Sequence, residues 1–132
     1  MKTRQADKSK ADVYLKRAIQ FKNSMEHSFE KSEWDACVSS AIHCAISAAD
    51  AYCIYMKGLR SASDNHNDAI ALFASIDPND IALGNCIKHL TSLISIKSVA
   101  EYGDHSLNED DAIAARKHAE RLFEYISTKI RH

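Results

Sequence analysis

A chain of 132 residues, 45% hydrophobic and 27% charged, suits one globular domain and excludes a disordered segment. A formal net charge of −1 excludes any argument from overall charge for binding nucleic acid or a membrane surface. With only 3 glycines and 1 proline, long uninterrupted elements are expected, and helices use that freedom best.

The chain opens on a basic stretch, Lys2, Arg4, Lys8, Lys10, Lys16 and Arg17, diluted by Asp7 and Asp12. Residues 1–9 are expected to form a flexible basic arm, with a weak phosphate-contacting role as the functional alternative to simple solvation. The arm lacks the apolar segment of a signal peptide. The first helix is expected from about Lys8 to Lys31, where Tyr14, Ala18, Phe21, Met25 and Phe29 recur at steps of four and three.

Ser32, with Asp35 three residues on, reads as the cap of a second helix ending at Gly58. One stripe runs Trp34, Val38, Ala41, Ala45, Ala48, Tyr52, Met56, and another runs Ile42, Ile46, Ala49, Cys53. A helix so widely apolar is expected at the centre of the fold or on a dimer surface. No apolar stretch is read as long enough to span a membrane.

A polar loop, Arg60 to Asn65, leads to a short helix over about 65–75. Asp77 and Pro78 read as the cap and first residue of a fourth helix, striped by Leu83, Ile87, Leu90 and Ile94 and closed by Gly103. Asn108 followed by Glu109, Asp110 and Asp111 opens the fifth, where carboxylates suit the positive end of the helix dipole. No strand pattern competes. The predicted fold is all-α, an antiparallel up-and-down bundle of four long helices plus one short helix, in a single domain over residues 1–132.

Four cysteines, Cys37, Cys44, Cys53 and Cys86, sit inside apolar helical patterns without a C-x-x-C pair, and are expected as buried, reduced thiols of a cytoplasmic protein. None of the seven histidines shares an i, i+4 spacing with another, so no metal and no cofactor are expected. Ser40, His43, Ser47 and Asp50 share one stripe of the second helix. They lack the exposed turn and oxyanion hole of a hydrolase, and read as a polar stripe between two apolar ones. Lys97 continues the apolar stripe of the fourth helix. Its ammonium needs either a partner, for which Glu101 is one turn on, or a cleft where it meets phosphate. Arg60 and His66 bracket the loop before the short helix. An arginine that grips phosphate and a histidine that moves protons can together cleave RNA without metal, whereas His66 alone can simply hold the loop.

The ordered set Glu33-Trp34-Asp35-Ala36, Ser40-Ala41-Ile42-His43, Ala48-Ala49-Asp50-Ala51, Lys57-Gly58-Leu59-Arg60 and Asp64-Asn65-His66 resembles the HEPN domain family. So do Lys97 with Ala100-Glu101-Tyr102-Gly103-Asp104, then Asp111-Ala112 and Ala119-Glu120-Arg121-Leu122-Phe123. The resemblance spans about residues 10–127. It implies a helical bundle that is commonly a homodimer, often beside a minimal nucleotidyltransferase in toxin–antitoxin pairs. Many members are metal-independent ribonucleases, carrying an arginine, four to six residues, then a histidine near the later long helix. Here that region reads Lys97 to His105, with lysine for arginine and seven residues between. The Arg60–His66 pair has the spacing but lies earlier, and His66 resembles the histidine that many small members carry at the start of the short helix.

These readings converge on a dimeric module that binds a partner protein, RNA or a nucleotide in a toxin–antitoxin, defence or stress setting, away from membranes and without robust catalysis. The alternatives are a metal-independent ribonuclease toxin and a structural subunit of an assembly. The candidate catalytic residues are His66, Lys97 and Tyr102, and the candidate phosphate-binding residues are Arg60 and Lys97. Helices two and four are the expected dimer surfaces.

Overall fold

The steps of three and four along the first helix bury Ala18 and Met25 completely, and this face seats α1 (Ala11–Glu30) against α2 (Trp34–Lys57). The computed structural model describes residues 2–62, 65–102 and 106–130, with 99–102 described by backbone alone. A turn of 3₁₀ helix, Lys8–Lys10, precedes α1, and its first donors are met by Asp7, whose carboxylate accepts from Ser9 N–H at 3.0 Å.

Ser32 is not the cap that its spacing to Asp35 suggests. It takes a left-handed conformation at φ 60°, with its N–H on Phe29 C=O at 3.0 Å and Glu33 N–H on Ser28 C=O at 2.9 Å. That pattern closes α1 with its last carbonyls satisfied, so α2 starts at Trp34 without a side-chain cap. Asp35 instead accepts from Leu107 N–H at 3.0 Å and ties the approach to the last helix onto α2.

α2 is the central helix. Its alanines Ala41, Ala45, Ala48 and Ala51 are fully buried and let the other four helices approach closely. By length and composition α2 can cross a membrane, against the reading that no stretch is long enough. Its neighbours explain the apolar character, because most of the helix is buried against α1, α3, α4 and α5. The same packing buries most of the α2 surface. Of the large apolar residues of α2, Met56 remains exposed.

Gly58 ends α2 at φ 65°, a left-handed position that glycine takes without strain. Its carbonyl accepts from Ala6 N–H at 2.9 Å. The chain then enters β2 (Leu59–Ser61), which pairs antiparallel with β1 (Thr3–Gln5) in the register Thr3–Ser61, Arg4–Arg60, Gln5–Leu59. These strands are invisible in the sequence, because three residues cannot display an alternation and the partners are separated by α1 and α2.

α3 (His66–Ala74) is capped by Asn65, whose side chain accepts from Asn67 N–H at 2.9 Å. α4 (Ile81–Tyr102) begins later than Pro78. Asp77 closes a local turn on Asn79 N–H at 3.2 Å, and Asp80 caps the helix through Ala82 N–H at 2.9 Å and Leu83 N–H at 3.3 Å. The later aspartate wins because its other oxygen also accepts the Tyr125 hydroxyl at 2.7 Å, locking the start of α4 to α5 (Glu109–Ile130). Asn108 and Asp111 form a reciprocal cap at the start of α5, at 2.9 and 3.0 Å. Gly103, expected to close the fourth helix, lies outside the described residues, as does His105.

The four long helices and short α3 make the all-α antiparallel bundle. Tyr52 on α2 meets Phe73 of α3 edge-on at 6.2 Å and Tyr125 of α5 at 5.9 Å, so one aromatic chain joins three helices. Arg116 of α5 reaches across to Glu26 of α1 at 2.7 Å while lying over the Phe29 ring at 4.6 Å. The four cysteines are buried and free. Burial pushes the Cys44 and Cys53 thiols up to about 12 and Cys86 up to about 11, so they pack rather than react.

Candidate functional site

Lys97 falls one turn beyond fully buried Leu93 on α4, so the helix aims its stem along the core. Its ammonium lies 2.9 Å from Nε2 of His66, the first residue of α3. An ammonium has hydrogens and no lone pair, so Lys97 donates, Nε2 accepts, and the ring proton stands on Nδ1. Both side chains are partly exposed. The contact sits at the N-terminus of α3, where the helix dipole adds positive potential, while Asn65 caps Asn67 N–H and Asp68 stands in the same first turn. Two of the sequence candidates, 31 residues apart, therefore meet. Tyr102 is the last residue of α4, but its side chain lies outside the described residues, as does that of Glu101.

Arg60 points to different neighbours. From β2 its guanidinium lies over the Tyr14 ring at 5.4 Å, and its charge acts on the Asp50 carboxylate. Its Nε is buried without a hydrogen-bond partner. Arg17, one turn along α1 from Tyr14, lies over the same ring at 4.8 Å. Arg4, Lys10, Tyr14, Arg17 and Arg60 line a cleft of about 430 Å³, together with Asp7. The basic arm was legible in the sequence, but its convergence with Arg60 depends on the pairing of β1 with β2.

The polar stripe of α2 does not assemble a triad. His43 is exposed and stacks on Phe21 at 5.1 Å, while Asp50 is half-buried beside Arg60 and Arg17. Burial pushes the Asp50 carboxyl up to about 6, even against the attraction of those two cations.

A second histidine contact carried no sequence signal. Nδ1 of His89 on α4 lies 2.8 Å from Nδ1 of His118 on α5, so one ring donates to the other. Burial lowers both pKa values below 6.5. The His118 ring adds to the lowering at His89, and Lys117 and Arg121 add to it at both rings. The folded state therefore binds fewer protons here than the unfolded chain, and stability falls as pH drops through 6.5 toward the lowered values. Thermal melts from pH 7.5 to 5 are expected to show that loss, and His118→Gln is expected to flatten it. A variant with the wild-type slope would show that the two rings do not share the proton cost.

Among the described residues, no three His, Cys, Asp or Glu side chains converge to hold a metal ion. The family model described as "HEPN domain" matches residues 11–130 of the chain. Comparison with curated proteins gives no match.

Proposed function

The chain belongs to the HEPN domain family, whose functions relate to nucleotides and RNA, and on that premise we propose that it is a binding module for the phosphates of RNA or a nucleotide, without robust catalysis of its own. The observation that carries this reading is the 2.9 Å contact of Lys97 with His66 at the start of α3. It holds a cation and an imidazole at a helix N-terminus, an electrostatic setting made for an anion. Lysine meets phosphate as a point charge, without the planar two-point grip of arginine, which suits binding better than transition-state clamping.

On this reading the module acts as a homodimer in the cytoplasm, in a toxin–antitoxin, defence or stress setting, with a minimal nucleotidyltransferase as a candidate protein partner. The exposed apolar residues Val13 and Ile19 of α1 and Ile113 of α5 offer surface for such contacts. No cofactor enters the proposal.

The same contact also favours a second reading, a metal-independent ribonuclease. There His66 moves the proton, Lys97 neutralises the phosphate, and Tyr102 stands at the same helix end. In the folded protein the lone pair of Nε2 is already engaged by Lys97. A ligand phosphate would have to draw the ammonium away before Nε2 accepted a proton from a ribose hydroxyl. That requirement places binding first and catalysis second.

The test is binding and cleavage of a mixed RNA pool in EDTA by wild type, His66→Ala and Lys97→Ala. The proposal expects RNA to be retained intact by wild type and held about tenfold more weakly by Lys97→Ala. Cleavage by wild type that falls 100-fold or more in both variants would establish the ribonuclease instead, since general acid–base groups contribute about 10²–10⁴ in rate. RNA neither bound nor cut would leave only a structural role in an assembly.

A further inference from the structure

The pairing of β1 with β2 places Arg4 directly opposite Arg60. Like charges at directly opposed positions of an antiparallel pair repel, and sheets ordinarily avoid them. Here the repulsion is compounded, because Lys10 and Arg17 open on the same cleft of about 430 Å³. Asp7 is the one carboxylate in its lining, and it is engaged in capping Ser9 N–H. No salt bridge involves any of the four cations among the described residues. The buried Nε of Arg60 has no hydrogen-bond partner. Two guanidiniums lie over the Tyr14 ring, at 4.8 and 5.4 Å, and the half-buried Asp50 beside them offsets part of their charge without forming a salt bridge among the described residues. A site that gathers four cations from two strands, a 3₁₀ turn and a helix, and leaves one buried donor unused, is preorganised for an anion.

We infer that this cleft is a second phosphate-binding subsite, taking a backbone phosphate of a single-stranded oligonucleotide whose neighbouring phosphates reach the His66–Lys97 contact. The inference rests on the reading of the protein as an RNA- or nucleotide-binding module. The choice of an oligonucleotide over a mononucleotide follows from chain geometry. Five residues separate Arg60 from His66, so their Cα atoms lie within about 20 Å. β2 and α3 are also in direct contact. Two phosphate sites within that span suit phosphates a few nucleotides apart on one strand, and a single nucleotide would leave one of them empty. Guanidiniums stacked on an aromatic ring are a common lining of single-strand grooves.

Arg4, Lys10 and Arg17 are all exposed, so removing their charges leaves the core intact. The experiment is fluorescence anisotropy of a labelled mixed-sequence 12-mer RNA in EDTA, over a salt series. Wild type is compared with the triple variant Arg4→Gln/Lys10→Gln/Arg17→Gln and with Lys97→Ala. AMP and inorganic phosphate serve as unlabelled competitors. The expected result is about a tenfold loss of affinity in the triple variant, with a salt slope shallower by about 0.7 for each phosphate contact removed. Both competitors are expected to be weak. Equal affinity and slope in wild type and triple variant, with Lys97→Ala still impaired, would overturn the subsite and leave the binding module standing. Displacement by AMP as effective as by unlabelled 12-mer would overturn the oligonucleotide assignment in favour of a mononucleotide site. RNA that wild type does not bind at all would overturn the module and the subsite together.

Discussion

Phe73→Ala is expected to destabilise the protein by about 3–5 kcal/mol, the cost of removing a fully buried aromatic ring and leaving a cavity. Phe73 has no exposed surface and meets Tyr52 of the central helix edge-on at 6.2 Å. Its helix is the reason to expect the upper part of that range. α3 has nine residues, too few to hold its own helical structure in water, so its order comes from packing. Leu72 and Phe73 are its two buried residues, and Phe73 is the larger. Losing the ring also loosens the element that presents His66 to Lys97. Urea unfolding is the measurement, with Phe73→Leu as a companion expected to lose less than half as much. A loss below about 1.5 kcal/mol for Phe73→Ala would mean that α3 closes over the gap and is not anchored at this point. The functional corollary is that Phe73→Ala weakens RNA binding at temperatures where the bundle itself remains folded.

Asp50→Asn is expected to stabilise the protein at pH 7 by about 2–3 kcal/mol, an unusual direction for a change beside the core. Burial raises the Asp50 carboxyl from 3.8 to about 6. Between those values the folded state binds more protons than the unfolded chain, so stability falls as pH rises through the window. The penalty is absent below 3.8 and complete above about 6. Asparagine fills the same space without the charge. Its advantage should vanish below pH 4 and reach its full size by pH 7. Denaturation at pH 3.5 and at pH 7.5 checks this directly, and a variant no more stable than wild type at pH 7.5 would show that Arg60 and Arg17 fully offset the burial cost. The direction bears on function as well. A carboxylate kept at a stability cost beside Arg60 and Arg17 partly neutralises those cations, so Asp50→Asn is also expected to tighten phosphate binding.

The opposite slopes of Asp50 and of the His89–His118 pair overlap near pH 6. Wild-type stability is therefore expected to be flatter there than either group alone would make it, and the single variants separate the two.

Periodicity determined the helices. Steps of three and four for the apolar residues of α1, α2, α4 and α5 need no partner to be read, because a single helix must turn its apolar face toward something. The same holds for the end of α2 at Gly58, for the Asn108 cap, and for the burial of all four cysteines, since each rests on residues a few positions apart. Ser32 and Asp80 show where local reading stops. Ser32 and Asp35 fit a cap by spacing, but the closing turn of α1 claimed Ser32, and Leu107, far along the chain, claimed Asp35. Asp77 reads as the cap of α4 by its place before Pro78, but Asp80, which Tyr125 reaches from α5, caps the helix instead.

The candidate site divides in the same way. The residue types were legible: a lysine on an apolar stripe, a histidine opening a short helix, an arginine in a loop and a basic arm. Which of them meet was decided by tertiary structure. Packing of α3 on α4 set Lys97 against His66, and the antiparallel pairing of three-residue strands set Arg4 against Arg60. The physical reason is range. Helix formation and capping are fixed by bonds spanning three to five residues, which a sequence displays directly. Contacts between helices and between distant strands depend on how whole apolar faces pack, and no local pattern encodes their register.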